Sequence, residues 1–525
     1  MSQQKSEDRV VPEGLGNLAP SHEVDYRGGG KAIPVMEAGV QLMLPFATAA
    51  TEPRKRSPSS KSCVDRSSQS MVLEPKANIK SSPADPTSME EVIRRLPEAF
   101  RKVAANKGAP GPDRQSIHEV GDRLWMLLPA LSRSLLNGSY QPGDVRRVWI
   151  PKGGGKQRGL GIPNVVDRMV QEAVRQVLEP LYEPTFHPSS HGFRPGRGCQ
   201  TAIAEARAYV AEGYPVVVDM DLEQFFDRVH HQRLLSRLAE RVSDKRLLSL
   251  IGRMLKAQVV MPDGLRVATE EGLPQGGPLS PLLSNIVLDE LDRELARRGH
   301  RFVRYADDAN IYVRSHRAGE RVLASITSFL CTRLRLRVNA AKSAVATPDT
   351  RHFLGYRLAP QADGRVEVLL SARSEERLQA KVKELTPRNC GCSLATQIER
   401  INQYLRGWLS HFGICTSGLG WFPNRTDAHI RRRLRAIVLK QWKRKRTIAR
   451  NLIQLGVRKK TAWRSVYDGR KSIWPLSHSP AVDRAMPNAY FAERGLVSLK
   501  ECFQARWDAM PVPVQLTLFP VSVRS

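Results

Sequence analysis

The sequence predicts an α+β protein in which short, aspartate-bearing β-strands in the middle of the chain are flanked by amphipathic helices. Three observations carry this. Phe302, Val303 and Tyr305 lead into a bend at Asp307-Asp308, and Ile311, Tyr312 and Val313 lead out of it, the pattern of a β-hairpin. Upstream, Val216-Val217-Val218-Asp219-Met220-Asp221 reads as a further acidic strand. From about Ser371 the character of the chain changes to long helices. Adjacent carboxylates repel one another, so aspartates gathered at strand ends need a counter-charge, most simply a divalent metal. A lone Asp-Asp pair would be a solvated turn; the second acidic strand argues for a site.

A chain of 525 residues has room for roughly two to four domains. Its 82 Lys and Arg against 52 Asp and Glu leave a formal charge of +30, which calls for a polyanionic partner, because neutralising phosphates releases counterions. No membrane partner is expected, since no apolar run approaches the ~20 residues of a spanning helix. The nearest, Ala32 to Ala50, is broken by Pro34, Glu37 and Pro45 and starts too late for a signal peptide. Seven dispersed cysteines argue for reduced thiols in a cytosolic compartment.

Residues 1–85 are rich in Ser, Pro and charge without a sustained period, which predicts a disordered extension. Order begins at Ser88, which with Glu91 forms a capping box for a helix running to about Ala104. Val148 to Lys152, a Gly-rich bend, and Arg158 to Pro163 predict a hairpin holding Lys152 and Arg158, cations suited to a triphosphate or simply solvated. Helices are expected over 167–178 and 199–211, separated by a rigid basic loop, His191 to Gly198, that carries Arg194 and Arg197. His230 to Lys256 reads as helical, and 259–267 as a hairpin around Pro262-Asp263-Gly264. Gly272 to Ser280 opens a helix to about Arg297; its Gly and Pro residues let backbone approach a ligand closely. A further helix is expected from Arg317 to Leu334. Between 431 and 460, Arg431, Arg432, Arg433, Arg435, Lys443, Arg444, Lys445 and Arg446 stand with Trp442 and no acid. That composition suits an RNA backbone groove with a stacking aromatic. No paired CxxC or His cluster of a metallonuclease module follows.

Taken in order, several segments form a series: Asn106-Lys107-Gly108-Ala109-Pro110-Gly111, His191-Gly192-Phe193-Arg194-Pro195-Gly196-Arg197, Asp221-Leu222-Glu223-Gln224-Phe225-Phe226-Asp227, Leu273-Pro274-Gln275-Gly276-Gly277 and Tyr305-Ala306-Asp307-Asp308. The series resembles that of the group II intron-encoded reverse transcriptase/maturase family, of the bacterial type lacking an HNH endonuclease domain. The likeness covers about Ser88 to Leu499. It implies a right-hand polymerase, with fingers and palm over 86–365, thumb and maturase X region over 366–455, and a basic nucleic-acid-binding segment over 456–525. The implied activity is RNA-directed DNA polymerisation, joined to intron-RNA binding that promotes splicing and to intron mobility by target-primed reverse transcription. Group II intron RNA, target DNA and dNTPs are the implied partners, in a bacterial cytoplasm near RNA and nucleoid.

Strand alternation leaves Asp219 and Asp221 equivalent. The family pattern, with its catalytic carboxylate five residues before the second aromatic, selects Asp221. Asp221, Asp307 and Asp308 are then the catalytic carboxylates and hold two Mg2+ ions, with help from the backbone beside Asp221. The resemblance further implies nucleotide contacts from Lys152 and Arg158, from Gln275 near the templating pair, and from Lys342 as proton donor to pyrophosphate. It sets Phe226 under the incoming sugar, where its ring would exclude a 2′-hydroxyl. Arg194 and Arg197 would grip template backbone. Two alternatives stand beside this reading. A free-standing reverse transcriptase of the retron, diversity-generating or CRISPR-associated kind is disfavoured by the X region. A non-enzymatic RNA chaperone is disfavoured by the intact carboxylates.

Overall fold

The computed structural model describes residues 86–508, apart from 154–155, 388, 390, 417–421 and 469–471. The expected extension, 1–85, lies outside the described residues. Helix Met89–Ala105 starts where its cap predicts: the Ser88 hydroxyl accepts the Glu91 N–H at 3.3 Å. Met89, Val92, Leu96, Ala99 and Val103 form its buried stripe, which packs on helix Val165–Tyr182. The second helix is buried almost all round and is the centre of the larger core.

Among the described residues, ten strands make three sheets. Val145–Gly153 (β1) and Lys156–Ile162 (β2) are the expected hairpin, extended sideways by two short later strands. The central sheet combines Val216–Met220 (β3) with three later strands. Before them, Val259–Val260 (β4) and Arg266–Val267 (β5) pair antiparallel, as their Pro-Asp-Gly turn predicts. Arg301–Tyr305 (β6), Asp308–Val313 (β7) and Ala344–Ala346 (β8) then complete the central sheet, in the order β6-β7-β3-β8 and antiparallel throughout. Tyr356–Pro360 (β9) and Val366–Leu370 (β10) form a separate ribbon.

The run of three valines in β3 has a clear cause. Val216 and Val218 face the larger core, while Val217 faces a second core on the other side of the sheet. A strand covered on both faces has no polar side to alternate with. The second core is built from helix Cys199–Ala211, the β9–β10 ribbon and the helices that follow residue 371. Those include Ala372–Leu385, Leu394–Phe412 and Phe422–Gln441.

The 230–256 segment is two helices, His231–Ala239 and Lys245–Leu255. Asp244 divides them: its carboxylate caps the Arg246 N–H at 2.8 Å and also accepts the N–H of Met89 at 2.8 Å. Cys199, Cys331, Cys415 and Cys502 are free thiols, whereas Cys392 is disulfide-bonded, contrary to the expectation of uniformly reduced cysteines. Among the described residues no helix is long and apolar enough to cross a membrane.

Candidate active site

The acidic hairpin is as tight as its sequence suggests. β6 ends and β7 begins with Tyr305 paired to Asp308, leaving Ala306 and Asp307 as the turn. Ala306 takes φ +57, a left-handed conformation that a two-residue hairpin turn demands and that alanine adopts at a cost. On the other side, Met220 of β3 pairs with Ala309 of β7. One position further along this antiparallel register brings Asp221 opposite Asp308. Asp308 reaches solvent at its edge, yet its carboxyl is pushed up to about 7. Burial by the surrounding chain is the main cause, followed by the charges of Asp307, Asp221 and Asp219.

Asp219 and Asp221 have different partners. Arg351 clasps Asp219 through two nitrogens, at 2.6 and 2.8 Å, and the amide of Asn310, oriented to donate, reaches it at 3.1 Å. Asp221 is anchored by its backbone instead: its N–H donates to Ser343 Oγ at 3.0 Å and its carbonyl accepts from Asn339 at 2.8 Å. Its carboxylate meets Lys342 Nζ at 2.7 Å. Arg351 also donates to the carbonyl of Lys342 at 2.6 Å, so one guanidinium fixes both Asp219 and the lysine beside Asp221.

Asp221, Asp307 and Asp308 suit divalent cations. Their oxygens are hard donors, and the charges of Asp307, Asp221 and Asp219, which add to burial in raising Asp308, are a crowding that a bound cation would relieve. Among the described residues no three acidic, His or Cys side chains are already closed around a metal-sized point. Lys342 supplies part of the missing positive charge at Asp221.

A second group lies between the β1–β2 hairpin and the 272–277 loop. Gln275 accepts from Arg158 Nε at 3.0 Å, donates to Asp227 at 3.4 Å, and offers its carbonyl to Gly161 N–H at 2.6 Å. Phe226 is buried edge-on to Phe225, and its carbonyl accepts the Leu273 N–H at 2.6 Å. Gly272, at φ +97, lies so close to that carbonyl that a Cβ would sit 2.8 Å from it. The sequence thus names residues here that the fold does gather: Arg158, Phe226 and Gln275. Lys152 falls on β1, and its side chain lies outside the described residues.

Three of the arginines expected to contact nucleic acid are internal struts. Arg194 is 4% exposed, bonded to Glu183, His187 O and Ser190 O and set over the Phe186 ring. Arg433 is buried against Thr386 and Lys383 O, and Arg435 against Asp483 and Met486 O. Burial without a partner would strand the charge, and these carbonyls and carboxylates supply the partners. Arg197 is half-buried and donates to Pro188 O; Arg431 and Arg432 are half-exposed, Arg432 lying 4.2 Å over Trp474. Lys443, Arg444, Lys445 and Arg446 are exposed, as the basic-groove reading requires.

Sequence reasoning passed over the support beneath the acidic turn. Arg304, fully buried on β6, meets both oxygens of the equally buried Asp292 and donates to Asn285 Oδ1 at 3.0 Å and Ala306 O at 2.8 Å. Asn285 in turn donates to Gly192 O at 2.8 Å. The signal was present: Asn285 and Asp292 stand seven residues apart on the apolar face of helix Ser280–Arg297.

Comparison with known proteins defines the class. Residues 150–358 match the model of the family described as reverse transcriptase (RNA-dependent DNA polymerase). Residues 376–454 match the group II intron, maturase-specific domain. Protein YkfC of Escherichia coli (strain K12) is 33% identical over 347 residues, covering 58% of this chain and 89% of that one. The group II intron-encoded protein LtrA of Lactococcus lactis subsp. cremoris is 40% identical over 197 residues, 37% of this chain and 32% of that one. The putative COX1/OXI3 intron 2 protein of Saccharomyces cerevisiae is 30% identical over 322 residues, 50% of this chain and 38% of that one. The matches to LtrA and the yeast protein therefore span about a third of those proteins' length. A chain of a partial Cas6-RT-Cas1–Cas2 complex aligns at 25% identity over 46% of this chain and 42% of its own, with a TM-score of 0.31. The chain is a reverse transcriptase with a maturase domain. It belongs to the family of group II intron-encoded reverse transcriptase/maturases.

Proposed function

We propose that Asp221, Asp307 and Asp308 are the catalytic carboxylates of RNA-templated DNA synthesis, within a right-hand polymerase whose palm is the central sheet. The β1–β2 sheet serves as fingers, and the helices after residue 371 as thumb and X region. The observation that carries this reading is the β3–β7 register, which sets Asp221 opposite Asp308 beside the Asp307 turn. Two Mg2+ ions bound by these carboxylates would supply an activated primer 3′-hydroxyl and charge neutralisation at the leaving pyrophosphate. The protein's own groups do the rest. Asp307 and Asp308 are held by a turn that has no slack, and Ser343 and Asn339 fix Asp221 through its backbone. Lys342, aimed by Arg351, holds a proton at Nζ within reach of a departing pyrophosphate. Arg158 and Gln275 cradle the nucleotide, joined by Lys152 of the same hairpin.

The primary test is primer extension on an RNA template with dNTPs and Mg2+, which the protein should support. Absence of extension at any Mg2+ concentration would end this reading. Sugar choice tests Phe226: Phe226→Ala should raise the rate of ribonucleotide relative to deoxynucleotide incorporation by about tenfold, equivalent to ~1.4 kcal/mol. An unchanged ratio would leave Phe226 as a core residue only.

Intron RNA and target DNA are the proposed macromolecular partners, and the bacterial cytoplasm the proposed setting. Promotion of splicing needs backbone contacts spread over an exposed basic surface, which Lys443, Arg444, Lys445 and Arg446 provide. Changing these four to Gln should weaken binding to a structured intron RNA. It should also flatten the plot of log Kd against log salt by about 0.7–0.9 for each phosphate the segment no longer neutralises, while leaving short-template synthesis intact. Wild-type affinity and slope in that variant would remove this segment from the RNA surface.

A further inference from the structure

The 191–198 loop bears on the acidic turn directly. Gly192 lies flat against it: a Cβ there would be 2.2 Å from the Ala306 nitrogen and 3.0 Å from the Tyr305 carbonyl carbon. The loop is locked from behind by Asn285 on Gly192 O, by the His191 N–H on Arg304 O at 2.9 Å, and by buried Arg194. Between two locked neighbours stands Phe193, at φ +60. An aromatic residue in the left-handed region is a genuine outlier, persisting only where the surroundings over-determine it. Phe193 belongs to none of the hydrophobic clusters of the described residues, and it is 36% exposed. A large ring is held partly in water, one peptide bond from the glycine that touches the catalytic turn.

We propose that Phe193 is a stacking contact for the primer–template, placing its ring against a base or sugar beside the Asp307-Asp308 turn. The inference rests on the polymerase reading above and adds a contact residue to it. The chemistry suits the task. An aromatic face holds any nucleotide without reading its sequence, as a polymerase travelling along a template requires, and the chain's charge of +30 draws the backbone in. Arg194, which the loop's basic composition offers as the contact, is instead the brace that makes Phe193 point outward.

The test uses the full-length protein with Phe193→Gly and Phe193→Tyr. Glycine is at home at φ +60, so Phe193→Gly should keep or raise the melting temperature, which distinguishes a missing stacking partner from a misfolded chain. Fluorescence anisotropy with a labelled DNA primer annealed to RNA should show Kd rising about five- to a hundredfold for the Gly variant. Phe193→Tyr should stay within about twofold of wild type, and the KM for dNTP at saturating primer–template should not change. Wild-type primer–template affinity in Phe193→Gly overturns the proposal. So does a loss confined to the dNTP KM, or a fall in melting temperature that accompanies the weaker binding. Failure of the polymerase reading looks different: the wild-type protein itself would not extend a primer.

Discussion

Asp308→Asn should abolish DNA synthesis and, at the same time, make the metal-free protein more stable above pH 7. The synthetic loss should exceed about a thousandfold, because a neutral amide neither completes the cation site nor stabilises charge developing in the transition state. The gain in stability follows from the sign of the Asp308 shift. Its pKa is higher folded, at about 7, than it would be unfolded, so the folded chain holds the proton more tightly. Stability therefore falls as pH rises from the ordinary carboxylate range through 7. Removing that carboxylate removes the penalty. Because Asp308 reaches solvent, screening keeps the gain small, about one or two degrees in Tm at pH 8 and none at pH 4. Thermal melts with EDTA at the two pH values, alongside primer extension, check both halves. A variant less stable than wild type at pH 8 would contradict the crowding of charge described here, and retained synthesis would remove Asp308 from the site.

Arg304→Met should cost about 3–5 kcal/mol, the usual consequence of leaving one member of a buried ion pair without its partner. Here the stranded group is Asp292, which has no exposure at all, with Asn285 Oδ1 and Ala306 O also losing their donor. The quantity to measure is the urea midpoint of the transition that includes the 86–508 region. Arg304→Met combined with Asp292→Leu should recover much of the stability, since replacing both charges by apolar side chains removes the desolvation problem. It should not recover synthesis, because the Ala306 carbonyl would still lack the donor that holds the turn. A single-variant cost below about 1 kcal/mol would show that water or a rearranged partner reaches Asp292.

These two residues also mark where the sequence was legible. Asp308 could be found because a hairpin, its turn and its carboxylates are all local: they occupy a dozen consecutive residues. The valine run of β3 was equally readable, since double burial writes itself as unbroken hydrophobicity. Partnerships across the chain were not. Lys342 lies 121 residues from Asp221 and Arg351 lies 132 from Asp219, and nothing in either neighbourhood announces the other. The arginines mislead for a related reason. A run such as Arg431 to Arg435 counts as surface charge until the helix acquires neighbours on more than one side, and then Arg433 and Arg435 face carbonyls. Composition sees how many cations a segment holds; only packing decides which of them meet water.

The three-valine strand also constrains how this protein could change over evolutionary time. Val217, Val303 and Tyr312, on the back of the sheet that carries the aspartates, lie in one hydrophobic cluster with Leu405, Trp408 and Leu434 of the C-terminal helices. Helix Cys199–Ala211 covers β6 and β7 directly, and the C-terminal helices close the same core behind it. A descendant that dispensed with splicing could not discard them: truncation near residue 371 would strip much of that core and leave helix Cys199–Ala211 and the β9–β10 ribbon with an apolar face in water. Loss of the splicing partner would have to be recorded on the surface, by erosion of exposed lysines and arginines, while the helices stayed in place.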